Sequence, residues 1–536
     1  MKIVIRALIA IGFMLAAASI NNVTQAAQVN RKLSGTLTAL GNVVSVLVSS
    51  DGQSAVYLAD QDLDEVFELY SVRLDGSTPP IKLNTPLAGA KDVVNYQITP
   101  DSTRVVYFAD QDTNSRFELY SVPIAGGANA RLNGALVTNG DVDELSWKIS
   151  PDSSHVVYLA DQDTDGVSEL YSAPIDGGGS LKLNLSMVSG GNVTRFQISA
   201  NSSRVVYLAD RSTDEVYELH SVPIGGGVTS KLNPVPVSGG DVLDFQISPN
   251  SNRVIVMGDL LTDEVVELWA VAITGGSHVK LNGALVTGGD VLNFQISPDN
   301  GRVVYQADQD TDNVQELYSV LPGGNDLVKL NPALVSGGTV YYAAYLISPD
   351  SSHVVYNADQ DTDNVSELYS VPLAGGSSVK LNGPLGSTGT VYSGYQISPD
   401  SSRVVYRADQ DTDGVEELYG VPLIGGSAVK LNGSLVSGGD VSFDLQFSSD
   451  SSRLFYRADQ QVDEMIELYG VPLTGGTPIK INDSLVSGGT VIYGYSVSSD
   501  NSRVTYIADQ DTDEVYELYV TDLNVERTLY LPLVLR

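Results

Sequence analysis

The chain has 536 residues and a formal net charge of −35, from 65 acidic against 30 basic side chains. A field of that sign repels phosphate backbones, which excludes nucleic acid as a partner and favours basic proteins, cationic surfaces and metal cations. Cysteine is absent, so disulfides, thiolate nucleophiles and thiolate metal sites are excluded, and a hydrophobic content of 42% rules out wholesale disorder.

In chain order, Lys2 and Arg6 come first, ahead of an apolar run over 7–20, and Thr24-Gln25-Ala26 offers small residues for cleavage before Ala27. The pattern predicts a signal peptide over 1–26 and a secreted or periplasmic mature protein. The run is shorter than the roughly 20 residues that span a bilayer, which argues against a retained anchor, and the mature chain has no other stretch that could span one.

Beyond it, Ala-Asp-Gln-Asp-Thr-Asp-x-Val-x-Glu-Leu-Tyr recurs ten times with variation, its glutamates at 68, 118, 169, 218, 267, 316, 367, 417, 467 and 517. A period of 49 to 51 residues held from end to end means stacked copies of one small unit. The copy starting at Tyr395 shows the grammar. Tyr395-Gln396-Ile397-Ser398 alternates as a short strand, and Pro399-Asp400-Ser401-Ser402 is a turn. Arg403-Val404-Val405-Tyr406 is a β-branched second strand, and 409–414 is an acidic turn. Glu417 to Leu423 is a third strand, Gly425-Gly426 turns it back, and Val429-Lys430-Leu431 is a fourth. The prediction is an all-β chain of ten four-stranded antiparallel blades, a β-propeller over 27–523 followed by an apolar tail over 524–536. The tail reads as a docked strand or as a sorting or partner-binding segment.

Ser-Pro-Asp before Val-Val-Tyr, then Glu-Leu-Tyr, Gly-Gly and Lys-Leu-Asn, resembles the WD-like repeat of TolB-type propellers, and the propeller domains of the prolyl oligopeptidase family are similar. The resemblance covers roughly residues 32 to 522 and implies the propeller fold. The chain departs from that family in blade number and in its longer acidic turn.

Register predicts how the ring closes. Lys280 precedes Asp299 by 19 residues, and Lys32 precedes Asp51 by the same distance, so Lys32 to Ser34 reads as a fourth strand detached from its blade. The last copy ends after its third strand, and the N-terminal piece is expected to complete it. Even spacing without a linker favours one ten-bladed ring; two five-bladed rings are the alternative. Blade five is the most divergent copy, with Met257-Gly258-Asp259-Leu260-Leu261.

The second-to-third-strand turns and the blade-to-blade loops share one face, so the acidic turns gather there, joined by Asp92, Asp141, Asp241, Asp290 and Asp440. On the opposite face, Arg104, Arg204, Arg253, Arg302, Arg403, Arg453 and Arg503 are expected to pair locally with turn aspartates such as Asp101. Six turns hold complete aspartate triplets: Asp60/Asp62/Asp64, Asp161/Asp163/Asp165, Asp308/Asp310/Asp312, Asp359/Asp361/Asp363, Asp409/Asp411/Asp413 and Asp509/Asp511/Asp513. Alternating carboxylates on a tight loop make calcium a candidate ligand, at a Kd on the order of 10⁻⁴ to 10⁻³ M. Gly166 and Gly414 even stand where an EF-hand loop has glycine, but no glutamate follows at its twelfth position. The competing readings are a solvated turn and an acid-rich surface adapted to high salt.

Catalytic signals are thin. His155 and His353 replace the repeat's arginine, His220 replaces its tyrosine, His278 lies in a variable slot, and there is no Gly-x-Ser-x-Gly elbow. Tyr107, Tyr158, Tyr207, Tyr305, Tyr356 and Tyr406 read as inter-blade core. The functional expectation is an exported non-enzymatic platform binding a protein partner or cationic surface through the acidic rim, with no cofactor required. The rivals are a hydrolase or lyase acting on glycan or peptide in the central channel, where Trp147 and Lys148 are the one oddity, and an envelope structural protein.

Overall fold

The computed structural model describes residues 29–234, 237–386 and 389–523; the expected signal peptide and apolar tail lie outside them. Forty strands form ten four-stranded antiparallel sheets. In the eighth blade the strands are Gln396–Ile397, Arg403–Ala408, Glu417–Pro422 and Val429–Lys430, with Tyr406 opposite Tyr419, Ala408 opposite Glu417 and Tyr419 opposite Lys430.

Burial explains the composition of each strand. The second and third strands are buried on both faces, because each blade is sandwiched between two neighbours, so they read as continuous runs such as Val-Val-Tyr and Leu-Tyr-Ser-Val. The first strand buries only part of its side chains, as in Val-Leu-Asp-Phe-Gln-Ile of the fifth blade, and first strands of successive blades lie against each other around the axis. The second-strand tyrosines are fully buried and stack on the third-strand tyrosines, with ring centroids 5.5 Å apart for Tyr406 and Tyr419.

The chain makes one ring. Val29–Lys32 pairs with Glu517–Asp522, setting Lys32 opposite Tyr519, and so supplies the outer strand of the tenth blade. Ten apolar clusters each span two successive blades, the last joining Val43 and Tyr57 of the first blade to Leu518 and Val520 of the tenth. The divergent fifth blade packs Met257 and Leu268 on Val291 and Phe294 of the sixth, which closes off the two-ring alternative. The inner strands are also riveted by glutamines: Gln246 Nε2 donates to Phe294 O (3.0 Å) and Gln295 Nε2 to Tyr345 O (2.9 Å). Trp147 takes the buried aromatic slot of the third blade, so its oddity is a larger core side chain.

The face carrying the Ser-Pro-Asp turns is chained together by hydrogen bonds from blade to blade, such as Asp101 N to Ser153 Oγ (3.1 Å) and Asp400 N to Ser451 Oγ (3.0 Å). At the tenth junction Gly52 replaces that serine, and there the N-terminal strand holds the ring instead. The arginines here correct the sequence expectation. Arg104 Nε donates to Ser121 Oγ and its guanidinium pairs with Asp176; Arg302 pairs with Asp326 and Arg503 with Asp522. The turn aspartates are occupied by their own Asx-turn donors, as Asp101 is by Thr99 and Thr103. No helix of the described residues is long and apolar enough to cross a membrane.

Candidate functional site

The acidic turns do lie on one face, and the structure assigns their carboxylates three separate tasks. The first aspartate of every turn is a root. In the eighth blade Asp409 accepts the Thr390 N–H (2.5 Å) from the entering loop and the Gly414 N–H (3.3 Å) across the turn. The same pair of bonds recurs at Asp60, Asp110, Asp161, Asp210, Asp259, Asp308, Asp359, Asp459 and Asp509. The residue donating across the turn has positive φ whatever its type: Glu65, Ser115, Asn313 and Glu514 adopt it as well as Gly166 and Gly414. The two glycines therefore answer a left-handed backbone position, which accounts for them without an EF-hand.

The middle aspartate is paired with lysine. In all six complete triplets it faces the lysine of the fourth strand: Asp62 with Lys82, Asp163 with Lys182, Asp310 with Lys329, Asp361 with Lys380, Asp411 with Lys430, and Asp511 with Lys32 of the closing strand. Each of these lysines also pairs with the glutamate of Glu-Leu-Tyr, as Lys380 does with Glu367 at 2.6 Å. Burial works against the Lys380 charge, but the two carboxylates outweigh it and hold its pKa above the ordinary value. Tyr369 donates to Glu367 (2.8 Å), and burial together with that carboxylate pushes its hydroxyl pKa up, so it keeps its proton. The asparagine of Lys-Leu-Asn accepts the next backbone N–H, Leu368 N to Asn382 Oδ1 at 2.8 Å. Glu-Leu-Tyr and Lys-Leu-Asn thus form one structural network.

The glutamine between the first two aspartates joins blades. Gln410 Oε1 accepts the Tyr406 hydroxyl (3.1 Å) and the Gly383 N–H of the preceding blade (2.7 Å), and Gln61 does the same with Tyr57 and Gly35, across the junction that closes the ring. The loop aspartates expected to swell the rim are caps as well: Asp92 accepts Phe67 N (2.8 Å), Asp141 Phe117 N, Asp241 Tyr217 N, Asp290 Val266 N and Asp440 Glu416 N.

What remains is the third aspartate, the tip. Asp64, Asp165, Asp214, Asp263, Asp312, Asp363, Asp413, Asp463 and Asp513 are all exposed, leaving Asn114 as the single neutral tip. Exposed glutamates follow five of them, at 65, 215, 264, 464 and 514. Seven of the tips, Asp214, Asp263, Asp312, Asp363, Asp413, Asp463 and Asp513, lean over a glycine of the entering loop: a Cβ added to Gly190, at φ +92°, would come within 2.7 Å of the Asp214 carboxylate, so glycine there lets the carboxylate close on the loop. Among the described residues, no three acidic or histidine side chains gather as a metal cluster. Within a triplet the root is bonded to backbone amides and the middle aspartate to a lysine, while the tip is exposed.

The histidines fall where the repeat predicts. His155 and His353 occupy the arginine position opposite a proline, and His220 stacks on Tyr207 at 5.3 Å. His278 bonds Leu232 O of the preceding blade (2.6 Å).

No protein-family model matches the chain, and no curated protein matches it by sequence. Among solved structures, one of two prolyl endopeptidases studied for inter-domain dynamics is similar at 13% identity and a TM-score of 0.39, over 69% of this chain and 55% of that one. The chain therefore spans little more than half the length of that enzyme. Dipeptidyl peptidase 4 of Porphyromonas gingivalis is similar at 10% identity and a TM-score of 0.45, over 78% and 65%. A TolB from Agrobacterium tumefaciens is similar at 18% identity and a TM-score of 0.26, over 44% and 79%. The ten four-stranded sheets make the chain a ten-bladed β-propeller, and a TolB stands among its structural neighbours.

Proposed function

We propose that this protein is an exported, non-enzymatic platform that engages a basic protein or cationic surface through its ring of tip carboxylates. The observation that carries the reading is the division of labour within the turn. Roots and loop aspartates are taken up by backbone amides and middle aspartates by lysines, while the tips stay exposed on nine of ten blades. Carboxylates repeated around a rim act together as a field that steers a cationic partner and binds it multivalently. Export rests on the basic, apolar and small-residue pattern of the first 26 residues.

The test is binding to a surface coated with lysine polymer, measured from low to high salt. The reading expects affinity to fall steeply between about 0.05 and 0.5 M NaCl, as the Debye length shrinks from over 10 Å to a few ångströms. Affinity that does not change with salt would overturn the rim as the contact surface.

A further inference from the structure

The first strands depart from repetition in one respect. Between the valine that opens the strand and the core aromatic or aliphatic residue there are two residues in blades one, two, four, five and six. There are three or four in blades three, seven, eight, nine and ten. In blades seven, nine and ten the extra residues push an aromatic ring into solvent near the axis, on the acidic-turn face: Tyr342, Phe443 and Tyr493 are 63–65% exposed. Tyr392 of blade eight is half-buried between them, and the Phe443 and Tyr493 rings lie 6.0 Å apart.

A cavity of about 370 Å³ opens at the junction of blades seven and eight, walled by Tyr341, Tyr342, Tyr345 and Tyr395, with Asn357 and Ser366 on its polar side. Its cause can be read from neighbouring junctions. The penultimate residue of each second strand reaches the first strand of the next blade, and between blades six and nine it meets a partner. Gln306 bonds Gln315 in blade six, Arg407 pairs with Glu416 in blade eight, and Arg457 pairs with Asp444 in blade nine. The two arginines also cover ring faces, Arg407 that of Tyr392 and Arg457 that of Tyr493. Blade seven has the short pair Asn357 and Ser366 instead, bonded to each other at 2.8 Å, so the space that long side chains fill elsewhere is left open.

The wall is held rigidly. Ala343 sits at φ +54°, a left-handed position that is costly for a residue with a Cβ. Fully buried Gln306 fixes it, accepting the Ala343 N–H (2.9 Å) and donating to Val340 O (2.8 Å) and Tyr341 O (3.1 Å).

We infer that this cavity and the aromatic arc beside it bind an uncharged oligosaccharide, a function separate from the carboxylate ring. No charged side chain lines the cavity, so a cation entering it would lose its hydration without gaining a counter-ion. Acidic sugars are repelled by the face around it. A pyranose ring has apolar faces that stack on tyrosine and hydroxyl edges suited to an amide, a serine and backbone carbonyls. The volume holds one or two such rings, and Phe443 and Tyr493 on the next blades offer stacking faces for further units.

The experiment titrates the full chain with hexasaccharides of glucose, xylose, mannose and N-acetylglucosamine, with oligogalacturonate and an arginine-rich peptide as contrasts, at low and high salt. The expected result is binding of at least one neutral hexasaccharide with an affinity that salt does not change. It should weaken at least tenfold in Tyr342→Ala and vanish in Asn357→Arg/Ser366→Glu, which fills the cavity as blade eight does and keeps the melting temperature as evidence of folding. The inference is overturned if none of the neutral sugars binds at about 10 mM. It is equally overturned if binding survives the filling variant, or if the filling variant abolishes binding of the arginine-rich peptide instead. Lysine-polymer binding should be unaffected by the filling variant, so this inference and the carboxylate ring fail independently.

Discussion

The root and the tip of the acidic turn are the same residue type four positions apart, repeated around the same face, and they do opposite work. Asp409 is buried and accepts two backbone N–H groups, so removing it takes the bonded partner from the half-buried Thr390 amide and unties the turn at Gly414. Asp413 is exposed and leans over the Gly386 loop, so removing it costs the fold little and the surface field one charge. Recurrence alone therefore says nothing about role. The partner of each carboxylate decides it.

The comparison breaks most severely if the root network loses its closing blade. Removing residues 29–35 takes away the outer strand of blade ten, the Lys32 pair with Glu517, and the Gly35 N–H that Gln61 accepts. A loss of more than about 4 kcal/mol, or a broad non-cooperative melt, is expected in denaturant unfolding. At single positions, Asp409→Ala should cost about 1–3 kcal/mol. Asp413→Ala should stay within about 0.5 kcal/mol of the parent. Equal losses at the two sites would erase the distinction.

A pH series sharpens the comparison at blade four, where the network itself is altered. His220 stands in place of tyrosine, beside Glu218, with Arg211 and Lys231 nearby, and burial pushes its pKa down to about 4. The folded state then binds fewer protons than the unfolded state between that value and the unperturbed 6.5, so stability is full above 6.5 and is lost as pH falls toward 4. In His220→Tyr, which restores the repeat, that part of the pH dependence should disappear from thermal melts; an unchanged profile would mean the histidine is not the titrating group. The smallest effect is expected from calcium. Because the root and middle carboxylates of each triplet are already held by backbone amides and lysine, only the tip is left to a cation. Melting temperatures in calcium and in chelator should then agree within about 2 °C, whereas a native-state ligand at 100 times its Kd would add about 2.7 kcal/mol. A saturable shift of many degrees would mean the turns reorganise around the ion.

Much of the fold was legible from the chain itself. The 49 to 51 residue period and the detached Lys32 strand led directly to the ten blades and their closure, because strand order and register are written in hydrophobic alternation and turn residues. The roles within the acidic turn were not legible, since hydrogen bonds from Thr390 to Asp409 or from Gly383 to Gln410 join residues that sequence spacing does not mark as neighbours. The partners of the arginines on the opposite face are hidden for the same reason: Arg104 reaches Asp176 in the next blade, past Asp101 in its own turn. One further signal is present in the sequence. The extra residues between Val340 and Tyr345, and at the same place in blades eight to ten, are countable in the sequence and mark the inner aromatic arc.

The most direct test of the central claim measures stability and lysine-polymer binding together in two variants. One changes the nine tip aspartates to asparagine, and the other changes only Asp409 to asparagine. The account predicts a crossed result: the tip variant melts like the parent and loses its salt-sensitive binding, while the root variant loses stability and binds like the parent when folded. If the tip variant binds as the parent does, or the root variant melts as the parent does, the division of the turn into a structural root and a binding tip is contradicted.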